Sequence, residues 1–283
     1  MSRQTDVAAP GRVKDITSVS NPLVKDIKAL ALKKYRDQTG SFLAEGQKLV
    51  IDALDLGWRI RTLVFSKAVK ARGDIQALAA RTIAAGGDVL EVSDKELAAI
   101  SRKDNPQMVA GVFEQHYARL ADIRPSAGDV WIALDRVRDP GNLGTILRTA
   151  DAAGARGVIL VGETTDPFSP ETVRATMGSI FAVAVVRASR EQFLAWRAGW
   201  PGIVAGTHLK GSVDYRTADL RDGPVLLVMG NESQGLPEEI AESCDTLLRI
   251  PQTGRADSLN LAVATGIMLY EIRRDALSLE PRA

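Results

Sequence analysis

This sequence predicts an α/β protein of two domains, a smaller one followed by a larger one built on a parallel sheet. Three observations carry that expectation. From residue 41 onward, short apolar runs alternate with stretches of helical period. In the second half, runs such as "VWIALD", "GVILVG" and "PVLLVMG" are apolar at odd and even positions alike, which marks strands buried on both faces. Between the halves, "ARLADIRPSAGD" carries Pro125 and Gly128, fits neither period, and reads as a linker.

Residues 1–17 are polar and aperiodic, so a flexible tail is expected there. A helix is expected over 22–36: Ser20 or Asn21 suits its cap, Pro22 its first turn, and Leu23, Ile27, Leu30 and Ala31 share one face. Lys25, Lys28, Lys33, Lys34 and Arg36 decorate the rest of that helix. A short strand in "TGSFLAEG" opens an alternating series of helix "QKLVIDALDLG", strand "RIRTLVFS", helix "DIQALAARTIAAGG", strand "DVLEVS", helix "DKELAAIS" and strand "QMVAGVFE". The domain therefore spans 18–117, with a linker at 118–128.

The second domain, 129–283, opens with strand "VWIALD" and a helix over 143–154. Strand "GVILVG", helix "SPETVRATMGS", strand "FAVAVV" and helix "REQFLAWRAG" follow. Strand "GIVAGT", a loop, strand "PVLLVMG", a short helix after Pro237, strand "TLLRIP" and a long helix "SLNLAVATGIMLYEIRRDA" complete the series. That last helix is apolar almost all round, through Leu261, Ala262, Val263, Ile267, Met268, Leu269 and Ile272. One stripe suffices to cover a sheet, so a second covered face points to a homodimer built on this domain.

Composition narrows the function. One cysteine, Cys244, and two histidines, His116 and His208, exclude a disulfide framework and leave no basis for a metal site. The amino terminus has no apolar core and no apolar run nears about 20 residues, so a cytoplasmic protein without a membrane span is expected. The charge is unevenly divided. Residues 1–128 hold 20 Lys and Arg against 15 Asp and Glu, and residues 129–283 hold 16 against 20. A basic front half suits a polyanion, because cations on a phosphate backbone release counterions.

Ligands of parallel α/β domains bind at the carboxyl ends of the strands. Three loops there are rich in Gly, Asn and acidic or hydroxyl side chains: "DPGNLG" (139–144), "GNESQGLP" (230–237) and "IPQTGRADSLN" (250–260). No strand is followed by a dinucleotide fingerprint, a phosphate-loop lysine or a nucleophile elbow. Asn142, Gly230, Gly235 and Ser258 each also have a plain reading as a cap or turn residue. Arg148 fits the plain reading less well, since it lies off the apolar stripe of Leu143, Ile146, Leu147 and Ala150. Glu232 sits in a Gly-bounded turn with no local helix to stabilise its charge.

Together, "NLGTILRTADAAG", "VMGNESQGLP" and "LRIPQTGRADSLNLAVATGIMLYE" resemble, in order and spacing, the three motifs of the SpoU/TrmH family of RNA ribose 2′-O-methyltransferases. The likeness covers about residues 129–275 and keeps the family pattern at Asn142, Arg148, Gly230, Glu232, Gly235, Pro251, Ser258, Leu259 and Asn260. The spacer "GRAD" is more polar than usual. The stretch "SNPLVKDIKALALKKYRDQTGSFLAEGQKLV" resembles the ribosomal-protein-like substrate-binding domain often joined to this catalytic domain.

The resemblance implies a carboxy-terminal trefoil-knot (SPOUT) domain preceded by an RNA-binding domain. It implies an enzyme that moves a methyl group from S-adenosylmethionine to a ribose 2′-hydroxyl, with ribosomal RNA of the 23S type the expected target. Transfer RNA as the target, a non-catalytic RNA-binding protein that keeps the fold, and a small-molecule α/β enzyme are the alternatives. By the same likeness, the cofactor lies against Thr207, Gly230, Ile250 and Leu259, and Arg148, Asn142, Glu232, Ser258 and Asn260 form the catalytic ribose-phosphate site. The guanidinium of Arg148 is better suited to fork a phosphate and steady a developing alkoxide than to accept a proton. Lys25, Lys28, Lys33, Lys34 and Arg36 are the expected RNA contacts of the first domain.

Overall fold

The structure is a computed structural model that describes residues 10–102, 104–208, 211, 213–220, 223–255 and 257–279. The chain divides into two compact units: Met1–Gln115 with Phe168–Arg174, and His116–Pro167 with Ala175–Ala283.

In the first unit Pro22 opens helix α1 (Pro22–Ala29), and Asn21 caps it by accepting a bond from the Leu23 backbone N–H. Val24 and Ile27 are buried beneath it. The single helix expected over 22–36 is broken. Leu32 is extended (φ −99°, ψ 131°), and a second helix, α2 (Lys33–Thr39), starts after it and ends on Gly40 in the left-handed region. The remaining elements are β2 (Ser41–Glu45), α3 (Gln47–Asp55), β3 (Ile60–Ser66), α4 (Gly73–Ala84), β4 (Asp88–Val92), α5 (Asp94–Ser101) and β5 (Val109–Glu114), with β1 (Val13–Asp15) ahead of α1. The sheet order is β1-β4-β3-β5-β2, parallel from β1 to β3 and antiparallel on both sides of β5.

Two expectations are corrected here. Residues 10–17 are not part of a loose tail. Val13–Asp15 pairs with Val89–Glu91, Lys14 bonds Asp88 at 2.5 Å, and Ile16 is buried. Three residues are too short to show a period, so no strand was expected there. Residues 1–9 lie outside the described part of the chain. The first unit also takes in Phe168, whose ring lies 4.6 Å from that of Phe42, although the sequence reading put it in the second domain.

In the second unit, seven strands form one wholly parallel sheet. They are β6 (Val130–Asp135), β7 (Gly157–Val161), β8 (Ala184–Ala188), β9 (Ile203–Thr207), β10 (Val213–Asp214), β11 (Val225–Met229) and β12 (Thr246–Arg249), in the order β10-β12-β9-β11-β6-β7-β8. β6, β7 and β11 are buried along their whole length, as apolar runs of both parities require. Among the described residues four α-helices complete the unit, α6 (Pro140–Ala152), α8 (Arg190–Arg197), α9 (Glu238–Glu242) and α10 (Leu261–Ile272), while α7 (Pro170–Ala175) falls, but for Ala175, in the first unit. The chain does not fill the sheet in sequence. β9 is laid down away from β6, β11 then inserts between them, β12 goes beyond β9, and α10 returns to pack on α6.

The stretch 118–128 is not a free linker. Ala118 bridges Val186, Leu120–Asp122 forms a short 3-10 helix, and Ile123 is buried in the same core as Trp131, Val186 and Phe193. Ala118, Leu120 and Ile123 bury apolar surface that too few residues carry to register as a period. Among the described residues no helix is long and apolar enough to cross a membrane, and no cluster of His, Cys, Asp and Glu side chains is placed to hold a metal.

Candidate functional site

The ends of β9, β11 and β12 and the start of α10 enclose a cavity of about 490 Å³. Its wall includes Thr207, Met229, Gly230, Glu232, Leu248, Ile250, Ser258, Leu259 and Met268. All four expected cofactor contacts, Thr207, Gly230, Ile250 and Leu259, are therefore brought together on one surface.

Of the two glycines on that wall, Gly230 is the one with no room for a side chain. A Cβ there would stand 2.2 Å from the Gly235 carbonyl carbon and 2.3 Å from the Leu236 nitrogen. The turn closes on itself through Asn231 N–H to Gly235 O at 3.2 Å and Gly235 N–H to Asn231 O at 2.9 Å, with Gly235 at φ +67°. Asn231, which the sequence reading passed over, is the side chain that fixes this turn. Its Oδ1 accepts from the Ser233 N–H at 2.9 Å, and its Nδ2 donates to the Arg136 carbonyl at 2.8 Å. The only signal for it was an Asn following a Gly in a loop, which is common to many turns. Behind the cavity, Gly206 leaves room for the Cys244 sulfur, since a Cβ there would lie 2.7 Å from it, and burial pushes the Cys244 thiol up to about 11.

Beside the cavity the three loops are tied together by side chains. Asn142 Nδ2 donates to Glu232 Oε1 at 3.1 Å, and Asn260 Nδ2 donates to Asn142 Oδ1 at 2.8 Å. Residues 90 and 118 positions apart in the chain thus meet in one polar line. The caps explain why these amides point where they do. Asp139, not Asn142, caps α6, accepting from the Asn142 N–H at 2.6 Å, and this leaves the Asn142 side chain for its neighbours. Asn260, not Ser258, caps α10: its Oδ1 accepts from the Ala262 and Val263 N–H groups, and its Nδ2 remains for Asn142. Ser258 is exposed on the cavity wall.

Arg148 stands apart from this group. It lies on the exposed face of α6 and does not line the cavity. Six residues along a helix turn a side chain by about 240° from Asn142, so the two cannot share a face of one α6.

In the first unit, Lys25, Lys28, Lys33 and Lys34 are exposed, and Lys33 pairs with Asp37 on its own helix. Arg36 is not a phosphate contact. It is 3% exposed, and its Nη1 donates to the Leu30 carbonyl at 2.8 Å. The break at 30–32 turns α2 so that Arg36 satisfies one of the carbonyls that the end of α1 leaves open.

Comparison with known proteins decides the family. Residues 129–270 match the model of the SpoU rRNA Methylase family, and residues 21–111 match that of the MRM3-like substrate binding domain. The chain belongs to the SpoU family. A SpoU relative, the 23S rRNA (guanosine(2553)-2′-O)-methyltransferase RlmP of Bacillus subtilis, is 33% identical over 92% of this chain and 100% of its own. The structure of an AdoMet-bound rRNA methyltransferase from Sinorhizobium meliloti is 62% identical, covers 94% of this chain and 99% of its own, and superposes with a TM-score of 0.90. The SpoU methyltransferase AviRb from Streptomyces viridochromogenes, in complex with AdoMet, is 30% identical over 90% of this chain and 98% of its own, with a TM-score of 0.81.

Proposed function

We propose that this SpoU methyltransferase modifies the ribose 2′-hydroxyl of a nucleotide in 23S-type ribosomal RNA, using S-adenosylmethionine. The observation that carries the reading is the cavity itself: two loops of the SpoU pattern wall one space, the third is tied to both through Asn142, and one of the two closes so tightly that only glycine fits at Gly230. The apolar side chains of Met229, Leu248, Ile250, Leu259 and Met268 suit an adenosyl group, and the turn backbones suit its polar edges. When bound there, S-adenosylmethionine supplies an electrophilic methyl group. Thr207, Gly230, Ile250 and Leu259 would hold it.

The remaining work falls to the chain's own side chains. Glu232, Asn142 and Asn260 form a pre-organised line of donors and acceptors beside the cavity that orients a ribose and its phosphate, with Ser258 on the adjoining wall. Arg148 forks the target phosphate and stabilises the alkoxide that develops as the hydroxyl loses its proton. Its placement on a different face of α6 from Asn142 suits a site completed by a second copy of the chain. Val263 and Tyr270, two turns apart on α10, are 52% and 51% exposed, and Ile267 between them is half-buried, so this helix keeps an apolar stripe for that partner. The homodimer, a cytoplasmic location with the ribosomal RNA, and a knot closed where α10 returns past the β11–β12 crossing all belong to this reading. In the first unit the exposed lysines 25, 28, 33 and 34 add phosphate contacts.

The test is transfer of tritiated methyl from S-adenosylmethionine to ribosomal RNA transcripts, followed by mapping of 2′-O-methyl positions in RNA from a deletion strain. Tritium in the ribose of one nucleotide, absent from the deletion strain, is expected. Label in a base, or none in any RNA, would overturn the assignment.

A further inference from the structure

A second concavity of the methyltransferase unit lies outside the cofactor cavity. It has a volume of about 590 Å³ and is lined by Arg136, Arg138, Arg187 and Arg190 with Glu163 and Glu191. The parallel register puts these residues together: β6, β7 and β8 end side by side, with Asp135 opposite Val161 and Val161 opposite Ala188, so the segments just beyond the strands converge.

Three of the four guanidiniums lie within ion-pair range of buried carboxylates, Arg136 and Arg190 of Asp135 and Arg187 of Asp166. Asp135, 1% exposed beneath the cleft, takes Arg136 Nε at 2.7 Å, while Arg190 Nη2 stays 4.0 Å from it, beyond hydrogen-bond reach. Arg187 lies 3.6 Å from Asp166 and stacks over the Tyr117 ring at 4.4 Å. Arg138 is exposed, and neither its guanidinium nor that of Arg190 makes a hydrogen bond to another described residue. Of the two carboxylates on the wall, that of Glu191 accepts from the Ser189 hydroxyl at 2.6 Å. Against the carboxylates of Asp135, Asp166, Glu163 and Glu191, the four guanidiniums still keep donors open to the cleft, at Arg138 and at the buried Arg190 Nε, which has no hydrogen-bond partner among the described residues, a setting that suits phosphate.

The cleft is joined to the cavity. Arg136 Nη1 donates to Gln234 Oε1 at 2.9 Å, Gln234 lines the cofactor cavity, and Asn231 holds the Arg136 carbonyl. Arg136 is held at φ +48°, a strained conformation for a side-chain-bearing residue, at this junction. We infer that the cleft is an RNA-backbone site that seats phosphates of nucleotides adjoining the target, while the target ribose occupies the cavity side of the Arg136–Gln234 contact. The inference rests on the RNA methyltransferase reading, and its test separates the two.

Arg138→Ala, Arg190→Ala and the double variant are compared with wild type in the full-length protein. Two measurements are made: anisotropy of a labelled oligouridylate across a salt series, and methyl transfer to transcribed 23S rRNA. Each arginine removed is expected to raise KM about tenfold, with kcat and S-adenosylmethionine affinity little changed. The double variant should lower the slope of log affinity against log salt by about 1.4, as loss of two single-strand phosphate contacts requires. An unchanged slope and KM overturn the cleft. So does polyglutamate displacing the oligouridylate as well as RNA does, because that describes a general anion site. Arg138→Ala removes no hydrogen bond to a described residue, so it remains informative if the double variant folds poorly. Failure of wild type to methylate any RNA while its oligouridylate binding keeps the predicted arginine dependence would sink the enzymatic reading and leave the cleft standing.

Discussion

Replacing Gly230 by alanine tests whether the cavity wall binds the cofactor. The added Cβ falls 2.2 Å from Gly235 C and 2.3 Å from Leu236 N, both backbone atoms. A carbon–carbon contact is comfortable at about 3.5 Å, so one strand of the turn must move by about 1 Å. No rotamer relieves a backbone clash. The two bonds that close the turn, Asn231 N–H to Gly235 O and the reverse, are the first to be lost. At about 1 kcal/mol net each, opening the turn costs about 2 kcal/mol, and if only the closed turn binds cofactor, affinity falls about thirtyfold. Gly235→Ala is the internal control. Gly235 has open space around its Cβ position but sits at φ +67°, so its penalty is conformational, about 1–2 kcal/mol, without displacement of the partner strand. Calorimetric titration of each variant with S-adenosylmethionine gives the dissociation constants, and far-ultraviolet circular dichroism checks the fold. The expected order of affinity is wild type, Gly235→Ala, Gly230→Ala. Gly230→Ala binding within threefold of wild type would refute the claim that this turn forms the cofactor wall.

Arg148→Ala is expected to lower kcat at least about a hundredfold while leaving cofactor affinity and fold intact, because it opens no core cavity; near-normal turnover by Arg148→Lys would remove the fork argument. Arg36→Ala is expected to destabilise the first unit by about 2–4 kcal/mol in urea titration without altering the salt dependence of RNA binding, since it is a buried structural group. Neutralising Lys25, Lys28, Lys33 and Lys34 together should do the reverse, lowering the salt slope by up to about 3 while costing no more than about 0.5 kcal/mol of stability, from loss of the Lys33–Asp37 pair. Light scattering at low micromolar concentration is expected to give the mass of two chains, and Val263→Asp with Tyr270→Asp the mass of one; a monomeric wild type would dispose of the shared site.

Features that depend on local chemistry are legible in the order of residues. Apolar runs of both parities specified buried parallel strands, and β6, β7 and β11 are buried throughout. Pro22 and Asn21 marked the start of α1. The SpoU resemblance named Thr207, Gly230, Ile250 and Leu259 before any of them had a position, and all four wall one cavity. The other features depend on which distant segments pack together, and no local pattern encodes them. The break between α1 and α2 exchanges helical continuity for burial of Arg36 against Leu30, a trade no period reveals. Val13–Asp15 is a strand only because the edge of β4 is there to pair with it. Asn142 was a possible cap until Asp139 took that duty and freed its amide for Glu232 and Asn260. Arg136 and Arg190, unremarkable and 54 positions apart, share a cleft because parallel register aligns the ends of β6, β7 and β8.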